Sequence, residues 1–126
     1  EATVGKNTEL YVSTFYAEGG NADFEKGIKE WMNADSARLE KNGGNDMLAA
    51  VTVMGYDAYM VAVEAIKAAG SSDPAAVMAA LPNVKYSGVS GDISFNETGD
   101  ANRDSAFIKT ANTEKGVWDF VAVQKA

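Results

Sequence analysis

The sequence predicts an α/β chain that, taken alone, reads as α+β. It opens with one strand, continues through three helices and closes with two hairpin-like β units. Three observations carry this reading. A β-branched and aromatic run at 10–17 (LYVSTFYA) stops at Gly19-Gly20. Apolar residues then recur at helical spacing through 21–81, punctuated by Gly43-Gly44, Gly70 and Pro82. After that, short apolar runs at 93–95, 106–111 and 117–123 alternate with turn-forming residues.

Each element has a local cause. Asn21 caps the first helix, and Asp23 and Glu25 sit in its first turn, where the helix dipole favours carboxylates. Phe24, Ile28, Trp31 and Met32 form its apolar stripe, Leu39 extends it, and Asn42-Gly43-Gly44 ends it with an easy left-handed cap. Asn45 is expected to cap the second helix, which runs to Ala69 and stops at Gly70. Its apolar residues cover nearly every face (Met47, Leu48, Val51, Val53, Met54, Tyr56, Tyr59, Met60, Val61, Val63, Ile66), the pattern of a helix buried between layers or against a partner. Gly55 leaves a strand or a turn open as alternatives for the first third of this segment. Asp73-Pro74 starts a short third helix that Pro82 ends after Leu81. Residues 96–104 (NETGDANRD) and 112–116 (NTEKG) read as hairpin connections.

Composition narrows the function. The chain has 126 residues, enough for one small domain with its own core. Eleven basic against 18 acidic side chains give a net charge of −7, a field that repels a nucleic-acid backbone, so no nucleic-acid partner is expected. Cysteine and histidine are both absent. That removes thiol nucleophiles, the Ser-His-Asp triad and most transition-metal sites, leaving carboxylates, lysines and hydroxyls for any catalysis. The acidic loop 96–104 lacks the calcium-loop order and holds Arg103 in its middle, so it reads as a solvated turn. Gly88, Gly91 and Gly99 bracket short strands and form no dinucleotide fingerprint. Residues 1–7 are polar and carry no signal-peptide pattern. Residues 47–69 are long enough to cross a bilayer, but Asp57 sits near their centre, which argues against a membrane span. Phe15, Tyr16, Tyr56 and Tyr59 suit either a pocket wall or core packing.

Three segments in order add a resemblance. They are Gly55-Tyr56-Asp57-Ala58 opening a helix that ends Glu64-Ala65-Ile66-Lys67-Ala68-Ala69-Gly70, then DPAAVMAAL at 73–81, then GVSGDISFNETGD at 88–100 with Phe107-Ile108-Lys109 and Gly116-Val117-Trp118 behind it. With 10–30 before them, they resemble the C-terminal part of the branched-chain amino-acid binding proteins, the type I solute-binding proteins of ABC importers. The resemblance implies two doubly wound lobes joined by three crossings, with a ligand in the cleft between them. It implies that this chain is a partial type I fold lacking the main parallel sheets. Residues 1–17 would be a second-lobe strand and crossing, 18–109 part of the first lobe, and 110–126 the return to the second.

The resemblance also implies a role. The chain would be part of an extracytoplasmic carrier, in the periplasm or on a cell-surface lipoprotein. That carrier captures an amino acid or similar small polar solute and hands it to an ABC permease. No catalysis, metal or cofactor is involved. The alternative is the ligand-binding domain of a receptor or sensor with the same fold. Phe15 and Tyr16 fall at the presumed crossing. Val51 stands five residues before Tyr56, at a family pocket position that is often aromatic, which implies a roomier wall. Asp57 reads as structural. The family's amine-binding acid and carboxylate-binding hydroxyls lie upstream of Glu1, so the chain alone is expected to bind amino acids weakly. Its apolar helix and open strand are expected to drive self-association through Val51, Met54, Tyr59, Met60, Tyr11 and Phe15.

Overall fold

The computed structural model describes residues 9–103 and 105–125. The polar stretch 1–7 and Asp104 of the acidic loop lie outside them. In chain order the elements are β1 (Tyr11–Thr14), α1 (Ala22–Asn33), α2 (Ser36–Lys41), α3 (Ala50–Ala69), α4 (Pro74–Ala80) with a 3-10 turn (Leu81–Asn83), β2 (Tyr86–Gly88), β3 (Gly91–Ile93), β4 (Ser105–Asn112) and β5 (Val117–Lys125). Two antiparallel sheets result: β1-β4-β5, with β4 central, and the small β2-β3 hairpin. The mixed α and β content agrees with the sequence reading. Every strand pair among the described residues is antiparallel.

The helical expectations need three corrections. The single helix expected from Asn21 to Asn42 is two, so the described residues form four α-helices. Ala34 closes α1, and Asp35 takes an extended backbone and caps α2 by accepting the Ala37 N–H at 2.9 Å. Arg38 then reaches back to the Trp31 carbonyl at 2.7 Å and stacks over its ring, fixing the bend. Second, Asn45 does not cap α3. Its side chain accepts the Met47 N–H in a local turn, and α3 starts five residues later, behind Ala49 with no side-chain cap. The segment between α2 and α3 turns through Gly43 (φ 77°) and Gly44 (φ 80°) and is held by the Asn42 amide, which donates to the carbonyls of Asn45 and Met47. Gly55 lies inside α3 without breaking it. Third, α3 is not covered all round. Val53, Asp57, Val61 and Ala65 are buried at steps of four along one stripe. Val51 and Tyr59 remain 74% and 67% exposed.

The core sits where that stripe meets the small hairpin. Val61, Ala65, Val84 and Ile93 pack together, with Val77, Leu81, Tyr86 and Phe95 against them. The β2-β3 hairpin was not expected as a unit. Its strands are three residues each, too short for an alternating pattern to register. The strand expected at 93–95 ends at Ile93, and Phe95 makes only an isolated bridge to Ala101. The strand expected at 10–17 leaves the sheet after Thr14. Its partner is β4, with Val12 opposite Lys109 and Thr14 opposite Phe107.

Candidate functional site

A buried carboxylate fixes the hairpin on α3. Asp57 is 1% exposed, and its two oxygens accept the Val89 N–H at 2.8 Å, the Ser90 N–H at 2.7 Å and the Ser90 hydroxyl at 2.6 Å. These bonds satisfy the turn and the carboxylate together, which a buried charge requires. Gly88 makes room: a Cβ there would lie 2.6 Å from the Asp57 carboxylate. Ser90 passes the contact onward, its carbonyl and hydroxyl accepting from Arg103 at 2.9 and 3.0 Å. The Arg103 guanidinium lies 5.8 Å from the centre of the Phe15 ring.

Among the described residues, two segments join the sheet to the helical body: the residues after Thr14, and Asn102 and Arg103 ahead of Ser105. The first is clamped. Tyr16 is buried, and its hydroxyl donates to Glu25 while accepting the Asn21 N–H at 3.2 Å. The Gly19 N–H donates to the same Glu25 oxygen at 2.7 Å. Burial, then the Glu25 carboxylate, pushes the Tyr16 phenol well above its ordinary value. Burial alone would raise the Glu25 carboxyl, but the hydrogen bonds from Tyr16, Gly19 and Asn21, with Lys29 nearby, outweigh it and hold that carboxyl low.

Beside this clamp opens a cleft of about 520 Å³ between the sheet and the segment joining α2 to α3. Side chains alternate along each strand, so the register puts Val12, Thr14, Lys109, Trp118 and Phe120 on one sheet face. That face is one wall. Asn42, Asn45 and residues 47–50 form the other, with Ala17 and Glu18 at the crossing. Glu18 is already engaged, accepting the Leu48 N–H at 2.9 Å and pairing with Lys29 at 3.2 Å.

The three residues singled out from the sequence do not share this cleft. Phe15 is half-exposed beside Arg103, Tyr16 is buried in the clamp, and Val51 stands exposed on the first turn of α3, one residue beyond the wall residue Ala50. Lys109, Trp118 and Phe120 were missed as site residues. The alternation of β4 and β5 marks them for one face, but only the pairing register says which face the helical body meets. Among the described residues no group of three His, Cys, Asp or Glu side chains stands close enough to hold a metal ion. No helix there is long and apolar enough to cross a membrane.

Comparison with known proteins gives the same fold. The sequence profile of the family described as periplasmic binding protein matches residues 5–115. No curated protein gives a significant match. Among solved structures, the leucine binding protein LivK of Thermotoga maritima MSB8 is 29% identical, with a TM-score of 0.66 over 97% of this chain and 33% of that one. An ABC transporter solute binding protein of R. palustris, solved with benzoate, is 14% identical, with a TM-score of 0.63 over 97% of this chain and 32% of that one. The second likeness is one of fold alone. This chain spans about a third of the length of both.

Proposed function

Because the chain belongs to the periplasmic binding protein family, we propose that its cleft is part of a solute-capturing surface. It serves an extracytoplasmic carrier that delivers an amino acid or a similar small polar solute to an ABC permease. The observation that carries this reading is the layout of the crossings. The chain passes between sheet and helical body after Thr14 and again before Ser105, and the cleft opens beside the first of these passages. Two bodies joined by short strands around a cleft can close on a solute by a hinge motion, with no bond made or broken. The pairing of β4 with β5 along its length supports moving the proposed lobe boundary from 109/110 toward the start of β4.

Val51 and Phe15 extend the proposed surface, Val51 from the rim of the second wall and Phe15 from the end of β1. Tyr16 supports it from below through its bond to Glu25. A second copy of the chain is a further partner, since α3 and β5 leave apolar side chains uncovered.

A nuclear magnetic resonance titration tests the reading. With a panel of amino acids and small carboxylates, shifts should be confined to residues 12–18, 42–51, 109 and 118–120, with weak affinity. The charges on the cleft are few, and Glu18 is already paired. Shifts confined to the far face, or none with any member of the panel, overturn the cleft; micromolar binding of an amino acid overturns the expected weakness.

A further inference from the structure

Resting on that reading of the cleft, we propose that Lys109 selects the solute. The solute carries a carboxylate on a flat apolar body, with the carboxylate meeting the Lys109 ammonium and the body lying against Trp118 and Phe120.

Lys109 stands in an unusual place. It belongs to the central strand of its sheet, registered between Val12 on β1 and Phe120 on β5. Around Lys109 that face is apolar or carries a hydroxyl, with Val12, Thr14, Phe107, Ala111, Trp118 and Phe120; the other cation on it, Lys125, stands at the far end opposite Ser105. Lysine is rare in such surroundings. Its stem can cover apolar surface, but its ammonium must still find water or an anion. A valine or threonine would serve packing better at this position.

The other charges at the cleft have partners. Glu18 accepts the Leu48 N–H and pairs with Lys29. Asp119 accepts the Asn112 amide at 2.7 Å. Lys109 has neither a hydrogen bond nor an ion pair to any described residue. Among the described residues that line the cleft, the one charge without a partner is therefore a cation with three donors, set beside two aromatic side chains. A carboxylate satisfies the cation by a charge-assisted hydrogen bond, and a flat apolar body uses the rings. An amine without a carboxylate would meet the ammonium as a like charge.

The chain has two tryptophans. Trp31 lies away from the cleft, in the groove beside α2. The variant Trp31→Phe therefore leaves Trp118 emission as a report from the cleft. Benzoate is the probe, and benzamide is its neutral counterpart of the same shape. Benzoate should perturb Trp118 emission saturably, and benzamide about tenfold more weakly, the scale of one hydrogen bond to a charged group. Adding Lys109→Met, with Lys109→Gln as a second variant, should erase that preference. Equal binding of the two probes by the lysine-bearing chain, which needs no variant at 109, overturns the role of Lys109 and leaves the cleft reading standing. A preference that survives both substitutions does the same. No response of Trp118 to either probe overturns the cleft reading and the role of Lys109 with it.

Discussion

Asp57 shows how one residue can hold two elements together. Its carboxylate closes the turn between β2 and β3 from the middle of a helix more than thirty residues earlier. Asp57→Ala would leave two N–H groups and a hydroxyl without their acceptor in a buried place, a cost of about 3 kcal/mol. Gly88→Ala attacks the same contact from the other side, because the new Cβ cannot coexist with the carboxylate at 2.6 Å, and such overpacking costs about 1–3 kcal/mol. In urea unfolding both variants should be less stable than the parent. The double variant should lose less than the sum, since Gly88→Ala has no carboxylate left to strike once Asp57 is gone. Strict additivity would mean that the two do not share one contact. In the sequence Asp57 argues against a membrane span, and the family resemblance implies that it is structural. Neither marks Val89 and Ser90 as its partners, because backbone donors leave no trace in residue identity. Lys109 is hidden for a related reason: its place on a shared face depends on a register that no residue near it encodes.

Among the elements, α1 is the one whose start is tied down most firmly. Asn21 caps it by accepting the Phe24 N–H at 3.0 Å, and Glu25 on its first turn grips Tyr16 and Gly19 of the crossing. The Glu25 carboxyl is held low in the folded chain. Between that low value and the unfolded glutamate value of about 4.3, the unfolded chain binds more protons. Stability from Glu25 is thus fully present above about pH 4.3 and lost as pH falls through the folded value. Tyr16 works in the opposite sense. Its phenol is raised when folded, so its contribution is present below the unfolded tyrosine value of about 10 and lost above it. Thermal melts across pH should show Glu25→Gln with a shallower acid fall than the parent, and Tyr16→Phe with a shallower alkaline fall. Acid limbs of equal slope for Glu25→Gln and the parent would mean that the clamp adds nothing to α1. Helix starts such as this one are legible in sequence because a cap and a first-turn carboxylate are local signals. The break at Asp35 is equally local, yet it is masked by Leu39, which continues the apolar spacing across it. The β2-β3 hairpin escapes because its cause is α3, distant along the chain.

For the molecule as a whole, the balance between core and surface decides the state in solution. Nine apolar side chains among the described residues are buried, and fifteen large ones are exposed. Isolated exposed apolar residues are normal; contiguous ones are not. Here they gather on two elements. On α3 they are Val51, Met54, Tyr56, Tyr59 and Ile66, and on β5, an edge strand, they are Trp118, Phe120, Val121 and Val123. The strand β1, expected to stand alone, is paired with β4 on one side, so its contribution to self-association is smaller than its sequence implies. An uncovered helix face and an unpaired edge are both relieved by a second copy. The net charge of −7 opposes such pairing and is screened by salt. Light scattering after size exclusion should therefore give a mass above 13.3 kDa, rising with protein concentration and with ionic strength. Tyr59→Glu on α3 and Val121→Lys on β5 should shift the chain toward monomer, and comparing them tells which face pairs. A sharp folded peak at 13.3 kDa, unchanged by dilution and by salt, would mean that α3 and β5 tolerate water on those faces without a partner.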